Sequence, residues 1–196
     1  MEVISLEDEY DRAFSEAKRI LSSGGVIIYP TDTVYGIGGD ARKKEVVERI
    51  RKIKSKKDAP LSVLLGNITM VKEYAEVDEV ALGAVMEVWP GPTTLILKSK
   101  KELPITKGEK IGIRVPEYNF MRKLSTELNM PIVTTSANLS GERPPGEFGE
   151  IDKKIVKQVD LAIDGGKTLF GIPSSIIDVV DKKVLRTGAG EILFLE

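Results

Sequence analysis

The 196-residue sequence predicts a single α/β domain over 1–196, built on a mixed sheet with flanking helices. Three observations carry this. Short apolar runs alternate with segments of helical periodicity. No long linker or low-complexity tract divides the chain. The last two apolar runs, Ser175–Val180 and Val184–Arg186, lie too close together for a helical crossover, so they form a hairpin around Asp181-Lys182.

In order along the chain, Met1–Ser5 reads as a short strand and Leu6–Ser22 as an amphipathic helix, ended by Gly24-Gly25. Val26–Tyr29 is a strand. It runs into Tyr29-Pro30-Thr31-Asp32-Thr33-Val34-Tyr35-Gly36-Ile37-Gly38-Gly39-Asp40, a loop rich in hydroxyls whose glycines permit positive φ and close backbone approach to a ligand. A loop there, at the carboxyl end of a strand, is where open α/β sheets place ligands; a tight polar connection is the plainer alternative. Asp40 is placed to cap a helix over Ala41–Lys54 with Val46, Val47, Ile50 and Ile53 on its core face.

Leu61–Leu65 reads as a buried strand, Asn67 as the cap of a short helix through Tyr74, and Val80–Val88 as a further helix. Trp89-Pro90-Gly91-Pro92 is a rigid turn before the strand Thr93–Leu97. Lys100–Lys110 reads as an exposed excursion. The strand Ile111–Val115 is closed by Pro116, Tyr118–Leu128 is a helix, and Pro131–Thr135 is a strand feeding the loop Ser136–Gly141. A mobile, proline-containing segment, Glu142–Glu147, leads to a helix over Glu150–Gln158 and the strand Leu161–Ile163.

Composition narrows the chemistry. With 29 basic and 30 acidic residues the net charge is −1, yet Arg42–Lys57 concentrates nine basic residues, either a phosphate-facing patch or a solvated helix face. No apolar run reaches membrane-spanning length and no secretory leader stands at the start, so the expected location is the cytoplasm. The absence of histidine and cysteine excludes a Ser-His triad, a thiol nucleophile and His- or Cys-ligated zinc. Chemistry must run on Lys, Arg, hydroxyls, carboxylates and backbone amides, a set suited to phosphoryl and nucleotidyl transfer.

Arg114 lies inside an apolar strand and needs a partner: an internal carboxylate such as Asp32 or Asp178, or a ligand carboxylate or phosphate. Thr134-Thr135-Ser136-Ala137-Asn138 and Pro173-Ser174-Ser175 are small polar clusters at strand ends, either polar cradles or ordinary turns. Arg186 offers a second guanidinium. The glycine pairs fit neither a dinucleotide-binding nor a Walker-A pattern.

Six stretches stand in one family's order: Tyr-Pro-Thr-Asp-Thr-Val-Tyr-Gly (29–36), Trp-Pro-Gly-Pro (89–92), Gly-Ile-Arg-Val-Pro (112–116), Ser-Ala-Asn-Leu-Ser-Gly (136–141), Pro-Ser-Ser-Ile-Ile-Asp (173–178) and Leu-Arg-Thr-Gly (185–188). On these motifs the chain resembles the YrdC/Sua5/YciO family of threonylcarbamoyl-AMP synthases, in its single-domain form. The resemblance implies a twisted, open sheet with a concave, positively charged cavity. It also implies synthesis of threonylcarbamoyl-AMP and pyrophosphate from L-threonine, bicarbonate and ATP with Mg²⁺, for a separate threonylcarbamoyl-transferase complex that modifies tRNA.

By motif position, the resemblance implies that Thr33, Arg114, Thr134 and Ser174 hold threonine, with Arg114 on its carboxylate. Ser136 and Asn138 would line the nucleotide side, with Lys54, Lys56 and Arg186 on phosphate charge. The sequence departs from the family at its Lys-Gly-Arg motif, where Lys56 takes the arginine's place if the segment is anchored on Lys54 and Ser55 takes it if anchored on Pro60; Ala59 stands for the family's asparagine, and Leu64 for a histidine of the synthase branch, as in YciO-like members. The alternative is accordingly a YciO-like nucleotide- or double-stranded-RNA-binding protein.

Overall fold

A computed structural model describes residues 2–55, 61–106 and 108–192. The strands are β1 (Glu2–Ser5), β2 (Ile27–Tyr29), β3 (Gly36–Gly38), β4 (Ser62–Leu64), β5 (Thr93–Lys98), β6 (Lys110–Arg114), β7 (Ile132–Ser136), β8 (Leu161–Asp164), β9 (Ser175–Asp178) and β10 (Lys183–Arg186). The helices are α1 (Tyr10–Ser22), α2 (Lys44–Ile53), α3 (Ile68–Tyr74), α4 (Glu79–Val88), α5 (Asn119–Leu128) and α6 (Lys153–Val156). One open sheet runs in the order β1-β8-β2-β3-β7-β4-β6-β5-β9-β10. It is mixed: β1/β8, β8/β2, β4/β6 and β5/β9 are parallel, and the remaining neighbours antiparallel.

Side-chain alternation along the strands sorts residues to two faces. Val63, Leu65, Leu95, Ile111, Ile113 and Ile177 pack with the inner faces of α2, α3 and α4 in one core. Ile27, Tyr29, Leu64, Ile132, Leu161 and Ile163 pack on the other face with Ala13, Ala17, Leu21, Phe120, Met121 and Leu124 from α1 and α5. Those two helices cover only part of that face. Beyond them, Ser62, Thr94, Ile96, Gly112, Arg114, Thr134, Ile176 and Asp178 face a cavity. The site therefore exists because one sheet face has fewer covering helices than strands to cover.

Several sequence expectations are corrected. The long loop of 29–40 contains β3, which pairs antiparallel with β2 (Ile28 opposite Ile37) and β7, so strand does not pass directly into helix. None of Gly36, Gly38 and Gly39 has positive φ. Close approach is what Gly38 serves, and to the neighbouring strand: an added Cβ would lie 2.0 Å from the carbonyl oxygen of Val133. Gly38→Ala is expected to lose roughly 3 kcal/mol in urea unfolding, because backbone rather than a flexible side chain must yield.

Helix α1 starts at Tyr10 rather than Leu6, because the Leu6 N–H donates to the Asp164 carbonyl (2.7 Å) and prolongs the β1–β8 ladder. Asp40 does not cap α2; its carboxylate instead receives the backbone N–H and guanidinium of Arg42. Asn67 does cap α3, accepting from the Met70 N–H at 3.0 Å. The excursion after Lys100 is anchored by buried Leu103 and Ile105. Glu142–Glu147 is tied down where the Tyr35 N–H donates to the Pro145 carbonyl and the Thr168 N–H to that of Gly146. The final hairpin forms around Asp181-Lys182 as expected.

Candidate active site

The cavity has a volume of about 350 Å³, within the range of small-ligand sites. Six of the nine residues that the resemblance assigns to the site line it: Thr33, Arg114, Thr134, Ser136, Ser174 and Arg186. They arrive from the 29–36 segment, β6, β7, the start of β9 and the end of β10, segments far apart in sequence. Lys54 and Asn138 do not line it, and Lys56 lies outside the described residues.

Arg114 is the centre of this arrangement and is 7 % exposed. Its Nε donates to the Gly91 carbonyl (3.1 Å), Nη1 donates to Thr33 Oγ1 (2.6 Å), and Nη2 donates to the carboxylate of Asp32. The Trp-Pro-Gly-Pro turn thus has a direct role: it delivers a carbonyl to the guanidinium. That turn is itself held by the Trp89 indole N–H, which donates to the Thr93 carbonyl at 2.7 Å. Of the two internal carboxylates named from sequence, Asp32 is the partner, while Asp178 pairs with Lys110 (3.0 Å). Burial pulls the Arg114 pKa down from its ordinary value, opposed by the charge of Asp32.

Thr33 is set by a local hydroxyl network. Its backbone N–H donates to Thr31 Oγ1 at 3.1 Å, and the two hydroxyls lie 3.0 Å apart. Ser174 Oγ lies 2.9 Å from Thr94 Oγ1 and accepts from Arg186 Nη2 at 3.1 Å, while Arg186 Nε donates to the Ser174 carbonyl. Among the described residues Arg186 has no carboxylate partner. Burial, and then the nearby charge of Arg114, lower its pKa. Arg186 is therefore the cavity cation whose charge is least compensated. Gly188 permits this, since a Cβ there would fall 2.2 Å from the Pro173 carbonyl oxygen.

Lys54 sits behind the wall. It is 5 % exposed, and its Nζ donates to the carbonyls of Ser136 (2.6 Å) and Asn138 (2.9 Å), clamping the loop that presents Ser136. Burial lowers its pKa to about 8 from 10.5. Between those values the unfolded chain binds more protons than the folded one, so stability rises with pH. The difference in thermal midpoint between wild type and Lys54→Met is expected to grow in favour of wild type from pH 7.5 to 9.5. A pH-independent difference would show that Lys54 does not titrate there. Asn138 donates to the carbonyls of Leu139 and Glu142, and its buried Oδ1 has no partner among the described residues.

Sequence reasoning missed Thr94, the Gly91 carbonyl and Lys110. Lys110, Gly112 and Arg114 share one strand face, so the Lys110–Asp178 pair lies at the opposite end of the cavity floor from Arg114, roughly 13 Å away along β6. The alternation along β6 was the available signal. Leu64 is 1 % exposed and packs in the core beside α5.

The family model Sua5_yciO_yrdC, described as "Telomere recombination", matches residues 19–188. The chain belongs to the Sua5/YciO/YrdC family. A Methanocaldococcus jannaschii relative, provisionally named threonylcarbamoyl-AMP synthase, is 36 % identical over 188 residues, covering 95 % of this chain and 89 % of its own. The family member YciO of Escherichia coli, itself named uncharacterized, has a solved structure that superposes with a TM-score of 0.88 at 32 % identity, covering 100 % of this chain and 99 % of that one. Sua5 of Pyrococcus abyssi, solved in complex with L-threonine, superposes with a TM-score of 0.87 at 28 % identity, covering 96 % of this chain but 57 % of that one. This chain thus spans little more than half the length of that Sua5.

Proposed function

We propose that this member of the Sua5/YciO/YrdC family is a threonylcarbamoyl-AMP synthase, a nucleotidyltransferase acting in the cytoplasm. The amine of L-threonine condenses with bicarbonate, releasing water, and the resulting carbamate oxygen attacks the α-phosphorus of ATP; the bond to the bridging β-phosphate oxygen breaks, and pyrophosphate leaves. The observation that carries this reading is the convergence of Arg114, Thr33, Thr134 and Ser174 on one cavity. A guanidinium flanked by hydroxyls is the donor set for an amino acid carboxylate and a side-chain hydroxyl. Arg186 and Ser136 serve the nucleotide. Lys54 acts through the loop it clamps, and Lys56 is assigned to phosphate on motif position alone. With no imidazole or thiol, rate enhancement comes from positioning and pre-placed charge.

Mg²⁺ belongs to this reading as an ion carried by the triphosphate. Among the described residues no cluster of acidic groups is built to hold a metal, and the cavity-lining carboxylate, Asp178, is paired with Lys110. That donor set fits an ion held chiefly by phosphate oxygens and water. The labile product passes to the transferase complex that modifies tRNA.

Labelled bicarbonate tests the proposal. Its carbon is expected to enter an acid-labile adenylate only when ATP and L-threonine are both present. The second reading, a YciO-like nucleotide- or RNA-binding protein without robust synthesis, draws on the end-to-end likeness to YciO. No incorporation, together with RNA binding that falls steeply with salt, would favour it.

A further inference from the structure

Among the described residues Asp32 is the one carboxylate in direct contact with the guanidinium at the cavity's centre, and the reaction as proposed gives it no task. It is 2 % exposed. One carboxylate oxygen takes Arg114 Nη2, the other accepts the Glu117 N–H at 3.3 Å, and its backbone carbonyl accepts the Phe170 N–H at 3.0 Å. It is thus held from three separate segments and cannot swing aside. A guanidinium has five N–H donors; among the described residues three are engaged, by Asp32, Thr33 and Gly91, leaving two. Any anionic oxygen docking on Arg114 must share that group with a fixed carboxylate, and both anions then lie within one guanidinium's reach of each other.

We propose that Asp32 is a positioning residue that fixes the Arg114 fork and holds down the cavity's affinity for anionic ligands, so that a bound carboxylate can leave. Arg114 would otherwise be a buried, uncompensated cation and an anion trap. With Asp32 in place, part of that charge is already answered, and the ligand contributes directed hydrogen bonds more than net charge neutralisation. The proposal rests on the reading of Arg114 as the carboxylate-binding group of the synthase.

Calorimetric titration of wild type and Asp32→Asn at one ionic strength, with L-threonine and separately with sodium sulfate, tests this. Asparagine keeps the shape and one acceptor but removes the charge. Asp32→Asn is expected to bind both ligands roughly tenfold more tightly, the loss of a like charge about 6 Å from the ligand oxygen in a partly screened site. In turnover, KM for threonine falls and kcat falls with it, a split that mere loss of structure does not produce. Unchanged or weaker binding of sulfate by a folded variant overturns the proposal. If wild type binds no threonine but the variant still gains affinity for sulfate, the synthase reading fails, and what stands is the restraint Asp32 places on anion binding at Arg114. Asp32→Ser, smaller and also neutral, carries the same expectation. If neither neutral variant folds, the role of Asp32 is structural and the proposal falls.

Discussion

Arg114→Ala is expected to lower kcat/KM for threonine by roughly 10²–10³ and to lower the thermal midpoint at the same time. The first effect follows from the proposed role of the Arg114 fork on the threonine carboxylate. The second follows from Asp32, which the variant strands as a buried carboxylate without its cation. Breaking a buried pair from one side costs about 3–5 kcal/mol, a large share of the stability of a domain this size. Activity must therefore be measured well below the variant's own midpoint, per folded molecule. Arg114→Ala/Asp32→Asn separates the two effects: stability returns in part, because no charge is left buried alone, and turnover does not return. Turnover by the single variant within a few-fold of wild type would remove Arg114 from the substrate site.

Arg186→Ala is expected to act on ATP. Its guanidinium lies beside Ser174 with no carboxylate partner among the described residues, so the charge is available to phosphate. Losing a hydrogen bond to a charged group costs about 1.5–3 kcal/mol, which corresponds to roughly a tenfold to hundredfold rise in KM for ATP. The threonine KM moves less, through the contact with Ser174. Arg186→Lys restores part of the ATP affinity, since it keeps charge but not the fork. An ATP KM unchanged in the alanine variant would place the nucleotide elsewhere in the cavity.

Much of this architecture is legible in the amino-acid order, and the exceptions have physical causes. Arg114 declared itself, since a guanidinium within Ile-Gly-Ile-Arg-Val demands a buried anion, and Asp32 was among the carboxylates it pointed to. The core face of α2 follows from 3.6-residue periodicity and packs as that pattern requires. β3 was hidden because Gly36-Ile37-Gly38 has little intrinsic strand preference; pairing on both sides makes it a strand. Lys54 and Asn138 look like ligand groups in one dimension. Only the fold shows the lysine turned onto the Ser136 and Asn138 carbonyls. The contact of Thr94 with Ser174 joins residues 80 positions apart, and no local pattern announces it.

The reading of this cavity stands on threonine-dependent release of pyrophosphate. Purified protein incubated with ATP, Mg²⁺ and bicarbonate is expected to release pyrophosphate at background rate without L-threonine and many times faster with it, and to lose that increment in Arg114→Ala. Pyrophosphate release that is the same with and without threonine, or absent in both cases, would contradict it.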